Sequence, residues 1–311
     1  MNMRMRGFTL CIIIALFAND AHAQRTHVLV VSGLSGEPAF KRTFDLAAAT
    51  IREAAHTKWG VADSSLIVLT EDSVVSAVSN GKSTRVNVAA SFVALSKRVQ
   101  PGDVLLVVLI GHGSGDGAGS KVNLPGPDPT ASDFATWLSG FSRQTVVFVN
   151  AASGSGDFLP VLAAPSRIVV TATKSAVERN ESLFAQYFAK GLVSDEADAD
   201  KDGRVSVLEA YRYAKAAVAR AYESTNRLQT EHAQLSDSLL AATVAFGGVQ
   251  ASSDPRIAAL VAERQALEMS VAALRARKAS MDTSAYDHEL ERLLLAIAEK
   301  TQAIRAAGVK K

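Results

Sequence analysis

Residues 104–117 read VLLVVLIGHGSGDG, and residues 146–156 read VVFVNAASGSG. The first stretch is an unbroken apolar run that ends in Gly111-His112-Gly113. The second is an apolar run that ends in Ala151-Ala152-Ser153-Gly154-Ser155-Gly156. A run rich in Val, Leu and Ile, apolar on both faces, is the pattern of a central strand in a parallel sheet. A histidine between glycines at such a strand end has backbone freedom and an exposed ring. Small residues at the end of the second strand would let backbone N–H groups approach a ligand, and Asp157–Leu162 then opens a short helix. Taken singly, each is an ordinary turn.

Outward from this pair the same alternation continues. His27–Ser32, Leu66–Thr70 and Ile168–Thr173 are further strand candidates. Helical patterns lie between them at Pro38–Ala55, Val86–Val99, Thr130–Gly140 and Ser182–Leu192. Strand and helix in alternation predict an α/β sandwich with a mostly parallel sheet and right-handed crossovers. Reactive groups in such sheets gather at the carboxyl ends of the strands. His112 and Ser153 therefore belong on one edge, provided that their strands are neighbours.

Together, in this order and about 40 residues apart, the two strand ends resemble those of the caspase–legumain superfamily. In that family one apolar strand ends in His-Gly and a later one in Ala-Cys-x-Ser-Gly. The opening strand with Gly33–Glu37, and Ile168–Thr173 followed by Ser182–Leu192, resemble the bacterial legumain-like branch, so the likeness spans residues 27–215. It implies a three-layer caspase-like sandwich. It also places Ser153 at the nucleophile position, or Ala152 in the other register. Neither has a thiol, and the single cysteine of the chain is Cys11. A family cysteine works as a thiolate held by imidazole. A serine needs a base that takes its proton during attack. His112 would be that base and the Gly113 N–H an oxyanion donor, as its counterpart is in the family. Asp116 and Asp133 are the two candidate acids to orient His112, and neither is singled out. Two readings follow: a non-catalytic relative that binds a protein or peptide partner or acts as a scaffold, and a serine-dependent hydrolase of peptide or ester bonds.

Residues 198–209 read DADKDGRVSVLE. This matches an EF-hand loop: Asp198, Asp200 and Asp202 at positions 1, 3 and 5, Gly203 at the sharp turn, the Arg204 carbonyl at 7, Ser206 at 9 and Glu209 at 12. Hard oxygen donors in this spacing suit calcium. The loop is single, so a structural ion is expected rather than a paired switch. The helix after it sets Leu208, Tyr211, Ala214, Val218 and Ala221 on one side.

The globular part is expected over residues 24–246, followed by a linker, 247–254 (GGVQASSD), and a helical hairpin or coiled coil, 255–306. Asp254-Pro255 is a helix start. Ile257, Leu260, Arg264, Leu267, Val271, Leu274, Lys278 and Met281 follow at 3-4 spacing. After a break at Asp282–Ser284, capped by Ser284 with Asp287, Leu290, Leu294, Ile297, Thr301 and Ile304 continue the seam. Arg264 and Lys278 on that seam favour a hairpin over a long zipper, with a homo-oligomer through 255–306 as the other use of its apolar face.

At the amino end, Arg4 and Arg6 precede the apolar run 8–17, and Ala21-His22-Ala23 is a signal-peptidase pattern. Cleavage after Ala23 would place the protein in the periplasm or outside the cell, free of the membrane. It would remove Cys11, so the remaining chain could be no cysteine protease. The segment holds Arg4, Arg6 and Asp20, so its loss takes the formal charge from +2 to +1. That balance argues against nucleic-acid binding. His27, His56 and His288 have no metal-ligand spacing. His232 lies in a polar stretch beside Glu231; the pair suggests a polar network, and a solvated or structural role is the favoured reading. Trp59 and Trp137 read as packing residues.

Overall fold

The structure is a computed structural model, and it describes residues 24–72, 79–115, 119–247 and 254–308. The expected signal peptide, Asp116 and most of the 247–254 linker lie outside the described residues.

The elements, in chain order, are β1 Thr26–Ser32, α1 Pro38–Thr57, β2 Leu66–Thr70, β3 Gly81–Lys82, α2 Arg85–Ser96, β4 Val104–Ile110, β5 Gly113–Gly115 and β6 Ser120–Val122. Then follow α3 Ala131–Leu138, β7 Thr145–Asn150, α4 Phe158–Leu162, β8 Arg167–Thr171, α5 Phe184–Gly191, α6 Val207–Ser224, β9 Gln234–Leu235 and α7 Ser238–Thr243. The helices α8 Pro255–Ala276 and α9 Thr283–Gly308 end the chain. Seven strands form one sheet in the order β3-β2-β1-β4-β7-β8-β9. All pairs are parallel except β8–β9.

Strand periodicity makes the layers. Alternate residues of a strand face opposite sides. Val28, Val30, Leu106, Val108, Val147, Val149, Ile168 and Val170 pack with α1, α5 and α6. Their neighbours Leu29, Val31, Leu105, Val107, Leu109, Val146, Phe148 and Val169 pack with α2, α3 and α4. The result is the expected three-layer α/β sandwich with a mostly parallel sheet. Every residue of β4 is buried, and each large apolar side chain enclosed in this way contributes about 1.5–3 kcal/mol.

The five expected strands and four expected helices are all present, with small shifts at their ends. Three pieces of sheet were not foreseen. β3 and β9 are two residues each, too short for periodicity to register. The β5–β6 hairpin is antiparallel and Gly/Ser-rich, which is not a strand composition. Asp282, not Ser284, caps α9: its carboxylate accepts the Ala285 N–H at 3.0 Å. The hairpin of α8 and α9 has a small core of its own, Val271, Leu274, Tyr286 and Leu293, joined by Leu267, Met281, Leu290 and Ile297. No described helix is long and apolar enough to cross a membrane.

Candidate functional site

β4 and β7 are hydrogen-bonded neighbours, with Leu109 opposite Asn150. The Ala151 N–H continues the ladder onto Leu109 O at 2.9 Å. His112 and Ser153 therefore do leave from adjacent strand tips, as the order of motifs requires.

What the side chains do there differs from the expectation. The Gly113 N–H donates to Ser153 Oγ at 3.2 Å. Ser153 is only 1% exposed. The His112 ring hydrogen-bonds the Ser35 carbonyl through Nε2 at 3.2 Å. It also packs edge-on against Phe40 and Phe44, with centroids 4.9 and 5.3 Å away. Among the described residues no hydrogen bond joins that ring to Ser153. Asp133 does not orient it: Asp133 closes the capping box of α3 with Thr130 and pairs with Arg85.

Glycines at both strand tips let backbone approach backbone. A Cβ on Gly113 would meet Ser153 O at 2.2 Å, and one on Gly156 would meet Ser175 N at 2.1 Å. Four N–H groups in the turn have partners inside the fold. Ala152 donates to Asn150 Oδ1 at 3.1 Å, and Gly154 to Glu178 O at 2.7 Å. Ser155 and Gly156 both donate to Thr173 Oγ1, at 2.8 and 3.2 Å. Ser155 Oγ in turn accepts from Ala172 and Thr173.

Beside this turn Glu178 meets His232: Nδ1 lies 2.6 Å from the carboxylate. Burial would raise the Glu178 pKa, but the Lys174 N–H and the His232 contacts outweigh it and hold the carboxyl below its ordinary range. The carboxylate that His232 meets is thus Glu178 and not its sequence neighbour Glu231. Glu231 instead caps α5, accepting from Leu183 N, Phe184 N and Ser182 Oγ.

The acidic loop forms a second cluster. Asp198, Asp200 and Asp202 bring carboxylate oxygens within 4.8 Å of one another. Gly203 has φ +83°, the left-handed backbone that the sharp turn needs. Asp198 accepts from Asp202 N and Gly203 N at 3.2 and 3.0 Å. Arg204 N donates to Asp202 Oδ1 at 2.8 Å. Glu209 accepts from Ala199 N and Asp200 N with one oxygen and from Ser206 with the other, so Ser206 and Glu209 form the capping box of α6. The three aspartates fit a divalent cation bound through oxygen. For Glu209 to serve as well, its carboxylate would have to leave these bonds.

A cation of the chain's own already sits on the loop. Arg264 of α8 pairs with Asp200 through Nη1 at 2.8 Å and with Asp202 through Nη2. Arg204 pairs with Glu268 of α8 at 3.2 Å, and Arg264 Nε lies 3.0 Å from the same Glu268. Burial pushes the Asp202 carboxyl up to about 6, against the pull of Arg264. Burial likewise raises Asp198 and Glu268. The same burial works against the Arg264 charge, but Glu268, Asp202 and Asp200 outweigh it and keep the guanidinium protonated.

The role of Arg264 was not read from the sequence, although it left a signal. A charge on an apolar seam needs a counter-ion, and residues 198–202 are a compact acidic run elsewhere in the chain.

No family model matches the chain, and no curated protein matches it. Solved structures do resemble it. Protein GSU0716 from Geobacter sulfurreducens has a TM-score of 0.44 at 11% identity, over 75% of this chain and 96% of that one. Caspase-1 from Spodoptera frugiperda has a TM-score of 0.44 at 12% identity, over 70% of this chain and 90% of that one.

Proposed function

We propose that this chain is an exported, non-catalytic protein of the caspase–legumain type, which binds a protein or peptide partner and carries a calcium loop. The observation that supports the non-catalytic reading is the state of the strand tips. The hydroxyl of Ser153 is buried and accepts the Gly113 N–H. His112 is held on the Ser35 carbonyl. Nucleophile, base and oxyanion donor are each engaged within the fold. Acyl transfer needs the base within hydrogen-bond reach of the nucleophile and the oxyanion donor open to the substrate oxygen.

A fluorophosphonate probe on the purified chain tests this reading. No labelling is expected, whether of the native chain, of Ser153→Ala or of His112→Ala. Labelling of the native chain that both substitutions abolish would replace the binding reading with a serine hydrolase. Export has its own test: the chain recovered from producing cells should begin at Gln24, and an intact Met1 would remove that part.

A further inference from the structure

Three carboxylates on a loop are an ordinary acidic surface. A buried guanidinium set among them is not. The Arg264 side chain is 5% exposed and reaches two of the three aspartates. The same helix turn carries Glu268, which meets Arg204 from the loop itself. From α9, Arg305 Nε donates to the Asp200 carbonyl at 3.2 Å. Nearer the end of α8, Arg275 pairs with Asp237 at 2.7 Å. The hairpin meanwhile encloses much of its apolar seam against itself. Charge therefore has a large share in fastening it to the globular part, and the acidic loop is the centre of that attachment.

We infer that Arg264 is the resident counter-ion of the acidic loop, and that calcium and the docked hairpin compete for Asp200 and Asp202. This rests on the calcium reading of residues 198–209. Like-charged groups at contact distance in a buried setting repel strongly, so a guanidinium and a divalent cation on those two carboxylates weaken each other's binding. Entry of the ion therefore favours withdrawal of Arg264. Linkage makes the effect reciprocal: whatever the docked arginine costs calcium affinity, bound calcium costs docking by the same factor. Hairpin release would part Arg204 from Glu268, leaving Glu268 with Arg264 on the same helix. The calcium loop is then a latch for the far end of the chain.

Two measurements on the full chain test this: calorimetric titration with calcium chloride, and hydrogen exchange of α8 and of residues 198–206 with and without millimolar calcium. Native chain is compared with Arg264→Met, which keeps an apolar stem and removes the charge. Arg264→Lys is the second variant; it keeps the charge but cannot bridge two carboxylates. Calcium should bind Arg264→Met at least about tenfold more tightly than native chain, a typical coupling, with Arg264→Lys between them. In native chain, bound calcium should speed exchange in α8, and Arg264→Met should show that faster exchange without calcium. Binding of equal strength by all three, or binding that leaves α8 exchange unchanged, overturns the competition while leaving the calcium loop standing. No binding by any of the three overturns both.

Discussion

The strand tips around Ser153 and the loop around Asp200 are both short, motif-like and rich in polar groups, yet they are satisfied in opposite ways. At the tips the bonds are neutral and largely local. Backbone N–H groups of Ala152, Gly154, Ser155 and Gly156 go to Asn150, Thr173 and Glu178 O, and glycines let two strand ends touch. At the loop the groups are charged and the answer comes from Arg264, 62 residues beyond Asp202. In the first region backbone lies directly against backbone. The second holds a cation and is in principle exchangeable. The same polar-satisfaction rule thus yields a closed site in one place and an occupied one in the other.

If backbone closeness is what shuts the tips, the largest loss should come from adding a single methyl group. Gly156→Ala places a Cβ 2.1 Å from Ser175 N, against main chain that has no rotamer to yield. A destabilisation of about 3 kcal/mol, the upper range for overpacking, is expected in a urea titration. A loss under about 1 kcal/mol would mean that the turn can open. The comparison would then fail on its first side.

Removing the hydroxyl of Ser153 should cost less. Ser153→Ala leaves the Gly113 N–H without its acceptor in a buried place, an expected loss of about 1–2 kcal/mol in the same titration. An unchanged midpoint would say that the Gly113 N–H had been free for a ligand all along, and would reopen the oxyanion role that the sequence suggested.

The three layers were legible because they depend on period alone. Buried strands such as β4 and β7 announce themselves by runs of Val, Leu and Ile, and α1 and α6 by one apolar face each. Adjacency of the two tips followed from family-like motif order. What the residues at the tips do was not legible. Ser153 and His112 look alike in sequence whether they face each other or face Gly113 and Ser35, since that depends on side-chain direction at a turn. The loop shows the converse. The spacing of Asp198, Asp200, Asp202 and Glu209 was plain, but Glu209 reads equally as ligand 12 and as the third residue of a capped helix, and the structure uses it as the cap. Arg264 was visible as a charge on an apolar seam, and its partner was not. Nothing local connects residue 264 to residue 200. Asp282 took the cap of α9 from Ser284 because boundaries one or two residues apart carry similar capping chemistry.

The smallest effect separates the two regions by pH. Asp237 caps α7 through Leu240 N at 2.8 Å and meets Arg275 of the hairpin at 2.7 Å. Burial would raise its carboxyl, but the Arg275 bond and the Leu240 N–H outweigh that and hold it below the ordinary value of 3.8. A carboxylate depressed in the folded state adds stability above its unfolded pKa, and that stability is lost as pH falls through the folded value. Asp237→Asn keeps the cap and removes the charge. Because the pair is partly exposed, its worth is about 0.5–1 kcal/mol at neutral pH. The difference in urea midpoint between native chain and Asp237→Asn should stay flat from neutral pH down to about 5, and shrink below about 4 as the carboxylate protonates. Ser153→Ala, tested alongside, should show a difference that does not change over that range, because neither Ser153 nor the Gly113 N–H titrates. Parallel pH curves for the two substitutions would show that the Arg275–Asp237 pair adds no charge-dependent stability.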